Sequence, residues 1–174
     1  IVAAGNDGRL EVSSQVPATY PEVLAVASTT AKGGTSKYPA YPGGIAADTA
    51  SFFTTDGAFS TATGIGVTVS APGEDQENIS RPGFIESVGI LSTKLGGGTV
   101  RMSGTSMAAP HVSGVVARLF QAVPEATDIE VVRALIRDGA AGAGSCPYDS
   151  PAGGYSFDGE REGVVTVPEL WSAP

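Results

Sequence analysis

Apolar positions in the first half of this chain fall in short unbroken runs rather than in amphipathic stretches. Ile1 to Ala4 is one such run, stopped by Gly5-Asn6-Asp7-Gly8, a strong turn signal. Val23 to Ala27 is a second, following Tyr20-Pro21, and Gly66 to Ser70 a third, stopped by Ala71-Pro72-Gly73. Runs of this kind suit strands buried on both faces, the habit of parallel sheets. The pattern then changes period. Val112, Val115, Val116 and Leu119 recur at helical spacing and predict a helix from about Ser106 to Gln121. Pro110 lies near its start, where a missing N–H costs least. A second helix is expected from Thr127, with Glu130 completing a capping box, a buried stripe of Ile129, Val132, Leu135 and Ile136, and Gly139 as its end. A last strand, Gly163 to Val167, leads into a short terminal helix. Strands and helices in this order imply an α/β fold, a parallel sheet flanked by helices.

Two stretches read as surface loops. Ala31 to Ala47 is rich in tyrosine-proline and glycine-glycine turn elements, and Glu74 to Val88 is polar and interrupted by Arg81-Pro82-Gly83. Both exceed the usual connection length in compact domains. They face substrate or are tolerated insertions, and the pattern leaves both readings open.

With 174 residues, 41% apolar and 16% charged, the chain reads as one globular domain over residues 1–174. The formal net charge of −8 repels nucleic acid and gives no help at an anionic membrane, so neither is expected as a partner. No apolar run is long enough to cross a membrane. Ile1 opens directly into a strand-like run with no signal peptide ahead of it, which says nothing about export if the chain begins within a larger protein. The single cysteine, Cys146, excludes an internal disulfide; it has no base or cation beside it in sequence and reads as structural.

The segment Ser103-Gly104-Thr105-Ser106-Met107-Ala108-Ala109-Pro110-His111 carries the chemistry. A serine in the first turn of a helix faces unpaired backbone N–H groups and the positive end of the helix dipole. Small residues around it let another backbone approach. Such a place stabilises negative charge on a tetrahedral carbon, and it also suits an ordinary N-cap serine. Helix chemistry alone does not choose between these. Asn6, in Asn-Asp-Gly, likewise suits a left-handed turn as well as an amide donor.

Both segments resemble one family. Gly104 to His111 is similar, residue for residue, to the nucleophile segment of the subtilisin-like serine peptidases, and Ile1 to Gly8 resembles their oxyanion strand and loop. Tyr20 to Val26, Ala50-Ser51-Phe52 and Val69 to Gly73 look like further landmarks of the same family. The likeness spans almost the whole chain but only the family's C-terminal half. It implies a partial subtilisin-like fold with the N-terminal half absent. It also implies Ser106 as nucleophile of an acyl-transfer endopeptidase, with the Asn6 amide and the Ser106 backbone N–H as oxyanion donors. The backbone of Ala3, Ala4 and Gly5, together with Asp7 and Thr105, would then bind the polypeptide substrate, with Asp7 at the rim of the pocket for the residue before the cut. The related sedolisins fit less well, because their oxyanion residue is an aspartate.

The resemblance also defines what this chain lacks. In subtilisins the catalytic Asp and His precede the oxyanion strand, so both are expected from an N-terminal half acting as partner. His111, the only histidine, follows Ser106 on the same helix. It stands about 7.5 Å along the axis and about 140° around it, too far round to serve as base. The family's matching histidine is structural. Some relatives hold a weak cation on carbonyls near Ala18, Tyr20 and Val23 with a nearby carboxylate. Thr68 stands at the carboxylate position, so no metal is expected, and no cofactor. The resemblance implies an extracellular enzyme, inactive without its other half. The alternative is a catalytically inactive truncated subtilase serving as a binding or complementing module.

Overall fold

Every residue of the strand Ala25–Thr30 (β2) is buried, and its two faces serve different cores. Val26 joins Val69 and Ala71 against two helices, while Ala25, Ala27 and Val67 face Ala4, Val12 and Ala18 on the other side. Side chains alternate across a strand, so a sheet covered on both faces needs apolar residues at consecutive positions. The short unbroken runs of the sequence meet that need.

A computed structural model describes residues 1–82, 84–143, 147–150 and 162–168. Its central sheet has the order β1-β2-β3, with Val2–Ala3 as β1 and Val67–Glu74 as β3. Both flanking strands run parallel to β2, with Val2 opposite Ala25 and Val69 opposite Val26. The expected strand at Gly163 to Val167 is reduced to one parallel bridge, Ser70 to Val164, on the outer edge of β3. The terminal helix expected beyond it, and Cys146, lie outside the described residues.

Helix Thr105–Ala122 (α1) packs on β2 and β3 through Thr105, Ala108, Val112, Val115, Val116 and Leu119. Burying Val112 and Leu119 contributes roughly 1.5–3 kcal/mol each. Pro110 lies inside α1 and has no N–H to offer the Ser106 carbonyl one turn back. Helix Ile129–Ala143 (α2) buries Val132 and Ile136, with Ile129 and Leu135 packed beside them.

Three local expectations are corrected. The α2 cap is Asp128, whose Oδ1 accepts the Glu130 N–H at 2.8 Å and the Val131 N–H at 3.4 Å, in place of a Thr127–Glu130 box. Glu130 instead takes the Arg133 guanidinium at 2.6 Å. Gly139 does not end α2, which continues to Ala143. The segment from Glu74 to Val88 is no open loop: Gln76–Arg81 (β4) and Phe84–Val88 (β5) form an antiparallel hairpin. A second hairpin, Ile90–Thr93 (β6) with Thr99–Met102 (β7), leads into α1. The segment from Ala31 to Ala47 forms no strand of its own; it leans on β4 through a bridge from Ser36 to Ile79.

Arg133 is 1% exposed. Its Nη2 donates to the carbonyls of Pro21 and Val23 at 2.6 and 3.1 Å. A guanidinium thus sits at the Val23 carbonyl, where the resemblance raised a cation site. Thr68, at the carboxylate position, is buried on β3.

Candidate active site

The carboxyl ends of β1 and β3 meet the amino end of α1. Open parallel sheets place their sites at such strand ends. From β1, the Gly5 N–H donates to Thr105 Oγ1 at 3.2 Å. From β3, the Gly73 carbonyl accepts the Gly104 N–H at 3.0 Å. Gly104 has φ of 150°, a backbone setting that side chains resist, and a Cβ there would lie 3.3 Å from Asn6 Nδ2. Gly73 is as constrained, because a Cβ would fall against Ser28 Oγ and the Gly104 carbonyl.

Asn6 reaches across to the start of α1. Its Oδ1 accepts the Thr105 N–H at 2.8 Å and the Thr105 hydroxyl at 3.0 Å. A backbone N–H needs an acceptor, so this bond fixes which end of the amide is oxygen. With Oδ1 committed, the NH₂ group is the part of Asn6 left for another acceptor, one residue away from Ser106. Thr105 itself is fully buried and satisfies a free N–H of the helix end through Asn6.

Ser106 is exposed in the first turn of α1, a turn that contains no acidic side chain. It opens on a cleft of about 330 Å³ between Ser106, Met107, Pro110 and His111 of α1 and Ile90, Leu91 and Ser92 of β6. His111 lines the same cleft, but its Nδ1 lies 2.8 Å from the Met107 carbonyl on its own helix. A carbonyl only accepts, so Nδ1 carries the proton and is tied to the backbone. This bond holds the His111 ring against its own helix.

The structure thus brings Gly5, Asn6 and Thr105 into direct contact, beside Ser106. Ala3 and Ala4 lead into them along β1, where the Ala4 N–H bonds the Val26 carbonyl at 3.0 Å. Asp7 is set apart. Its Oδ1 accepts the Arg9 N–H at 3.1 Å, and its own N–H donates to Thr55 Oγ1 at 3.1 Å. Its carboxylate therefore helps build the turn.

Sequence reasoning missed an exposed contact beside this turn. Ser103 Oγ lies 2.7 Å from Ser87 Oγ, and Ser87 donates to the buried Glu74. The polar composition of the 74–88 segment hid this contact.

Residues 1–159 match the profile of the Subtilase family. The chain is 34% identical over 91% of its length to an extracellular protease of Xanthomonas campestris pv. campestris. It is 35% identical over 78% of its length to fervidolysin of Fervidobacterium pennivorans. It spans 22% and 17% of those two proteins' own lengths. Among solved structures, an S41 psychrophilic protease aligns with a TM-score of 0.62 and 24% identity, covering 95% of this chain and 47% of that one. Sphericase aligns with a TM-score of 0.61 and 23% identity, over 95% of this chain and 47% of its own. These two likenesses concern the fold.

Proposed function

Because the chain belongs to the subtilase family, we propose that it is the nucleophile-bearing half of a serine endopeptidase domain, residues 1–174 forming that half. Ser106 Oγ attacks the scissile carbonyl carbon, and its proton passes to a histidine supplied by an N-terminal half. The Asn6 NH₂ and the Ser106 N–H hold the oxygen that becomes negative. As the C–N bond breaks, the histidine returns the proton to the leaving amine, and water then hydrolyses the acyl-enzyme. The bond between Asn6 Oδ1 and the Thr105 N–H carries this reading, since it leaves the NH₂ free beside Ser106.

The general base comes from outside this chain, because the one histidine lies five residues after Ser106 on the same helix, about 140° round from it, and its ring is bonded back to Met107 O. The N-terminal half docks on α1. Ser106, Pro110, Ser113, Gly114 and Ala117 are exposed along one stripe of the helix, all of them small or compact, and a Cβ on Gly114 would meet nothing within 4 Å. The substrate is polypeptide, lying along the backbone of Ala3, Ala4 and Gly5 next to Thr105. By likeness to the Xanthomonas protease, the enzyme acts outside the cell.

The test is complementation. The chain is mixed with the N-terminal half of a subtilase carrying its Asp and His, and peptide hydrolysis is measured. Activity present in the mixture, missing from either part, and lost in Ser106→Ala supports the reading. Activity that survives Ser106→Ala ends it.

A further inference from the structure

Two glutamates lie behind the turn that presents Ser106. Glu74, at the end of β3, and Glu77, on β4, are each 0% exposed. A buried carboxylate ordinarily has a cation against it, and among the described residues neither of these two forms an ion pair. Glu77 Oε1 accepts the Phe52 N–H at 2.8 Å, and Glu74 Oε2 accepts the Ser87 hydroxyl. The remaining oxygens, Glu74 Oε1 and Glu77 Oε2, are buried without a donor. Glu74 acts on the Glu77 carboxyl, and a hydrogen bond between two carboxyls exists only if one of them is protonated. Burial, and then the bond to Glu74, push the Glu77 carboxyl up to about 9.

The surrounding charges are otherwise engaged. Asp75, between the two in sequence, pairs with Lys32 at 2.8 Å from the segment after β2 and with Arg101 at 3.3 Å from β7. Lys37, Arg81 and Glu86 are exposed, and Arg81 lies over the Phe84 ring at 4.7 Å. The segment around Phe52 presents a backbone N–H, and β2 presents Ser28, whose hydroxyl is bonded to Ser51 at 2.7 Å. Among the described residues, Glu74 is the charged group that acts on Glu77.

The pair connects directly to the site. Ser87 stands opposite Glu77 in the β4–β5 ladder, and its hydroxyl lies 2.7 Å from that of Ser103. Ser103 precedes Gly104, Thr105 and Ser106. With one proton between the glutamates, Glu74 can accept from both Glu77 and Ser87, and Ser87 remains able to accept from Ser103. Without that proton, two buried carboxylates face each other and must part or take in water.

We propose that Glu77 and Glu74 form a proton-sharing latch which, through Ser87 and Ser103, holds the turn presenting Ser106. They are positioning residues, and loss of the shared proton at alkaline pH releases that turn. The consequence for catalysis rests on the reading of Ser106 as nucleophile, whereas the latch itself does not.

The latch is tested on the 174-residue chain with ¹³C-labelled glutamate carboxyls, followed by NMR across pH together with the Gly104 and Thr105 amides. One glutamate is expected to titrate at least about two pH units above an ordinary one. Both amides should shift with the same midpoint. Glu77→Gln should abolish both steps. Ser87→Ala keeps both glutamates but takes one donor from Glu74, so it should leave a raised carboxyl step, its midpoint no lower than in wild type, and remove the amide step. The proposal is overturned if every glutamate titrates in the ordinary range, if the amides ignore the carboxyl step, or if the amide step survives in Ser87→Ala. It is overturned equally if added Ca²⁺ drives the raised midpoint down in wild type but shifts no resonance in Glu77→Gln, because the pair is then a cation site. None of these readouts depends on peptidase activity.

Discussion

Asn6 and Thr105, 99 positions apart in sequence, share two hydrogen bonds to one oxygen: Oδ1 of the amide takes both the N–H and the hydroxyl of the threonine. One side chain therefore joins the end of β1 to the start of α1. The same bonds turn its nitrogen away from structural duty. This division separates the two roles of Asn6 experimentally. Asn6→Asp keeps an acceptor for Thr105 and discards the NH₂ donor. The folded chain should persist with little change in stability, while kcat of the complemented enzyme should fall about 10²–10³-fold. Asn6→Ala should lose the same activity and also about 1 kcal/mol of stability, as a helix-end N–H goes unmet. Urea denaturation and peptide hydrolysis measure the two effects; equal stability for Asp and Ala would contradict the structural half of the argument.

The exposed stripe on α1 gives a second expectation. Gly114→Leu places a large side chain in open space and removes a helix-interior glycine, so the isolated chain should keep its stability or gain up to about 1 kcal/mol. Docking of the N-terminal half should weaken at least about tenfold, the effect of roughly 1.4 kcal/mol. Ala117→Leu should act alike. Titration calorimetry with wild type and variants measures this, and unchanged affinity would place the docking face elsewhere.

Much of this architecture was legible in the residues, and the misses share a physical cause. Val26 and Val69 sit in runs that admit little besides a doubly covered strand, and Val112, Val115, Val116 and Leu119 mark a helix face. The association of Asn6 with the start of α1, at Thr105, was legible only as a resemblance, because a contact across 99 positions has no local signature. Glu74 and Glu77 misled outright. Acidic residues ordinarily mark solvent, and here a hairpin buries them. Asp128 won the α2 cap over Thr127 because the helix starts one turn position later than the capping-box spacing implies. Gly139 is tolerated inside α2, where tertiary packing outweighs a propensity cost of about 1 kcal/mol.

Stability should depend on pH through Glu77. Its carboxyl titrates near 9 in the fold against an ordinary 4.5, so the folded chain binds the extra proton between those values. The contribution is complete below about pH 4.5 and declines as pH rises, by up to about 1.4 kcal/mol per unit, levelling off above about 9. Asp75 works in the opposite sense. The Lys32 ammonium bonded to it holds its carboxyl below the ordinary range, and that contribution is lost only as pH falls below the Glu77 window. The difference between wild type and Glu77→Gln, measured by urea denaturation from pH 5 to 9, should therefore slope towards lower wild-type stability at high pH. A flat difference would show that Glu77 carries no excess proton.

Asp7 offers a finer expectation about specificity. Its carboxylate caps the Arg9 N–H, and Asn in its place can accept the same bond, so Asp7→Asn should leave the turn intact. Attraction from an exposed carboxylate for a lysine before the cut is worth at most about 1 kcal/mol and fades in salt. In the complemented enzyme the lysine-to-leucine ratio of kcat/KM should drop no more than about fivefold on Asp7→Asn, and the drop should shrink at high salt. A ratio unmoved by either change removes Asp7 from substrate choice.

The central claim is that Ser106 is a nucleophile whose base arrives with the other half, and active-site labelling tests it most directly. The chain is exposed to a fluorophosphonate alone and after mixing with an N-terminal half that carries the Asp and His, and the adduct is located by peptide mass spectrometry. The expected result is rapid modification of Ser106 in the mixture, slower by at least about 10³-fold in the chain alone, and none at that position in Ser106→Ala. Equally fast labelling of Ser106 in the isolated chain, or a stable complex of the two halves that leaves Ser106 unmodified, would contradict it.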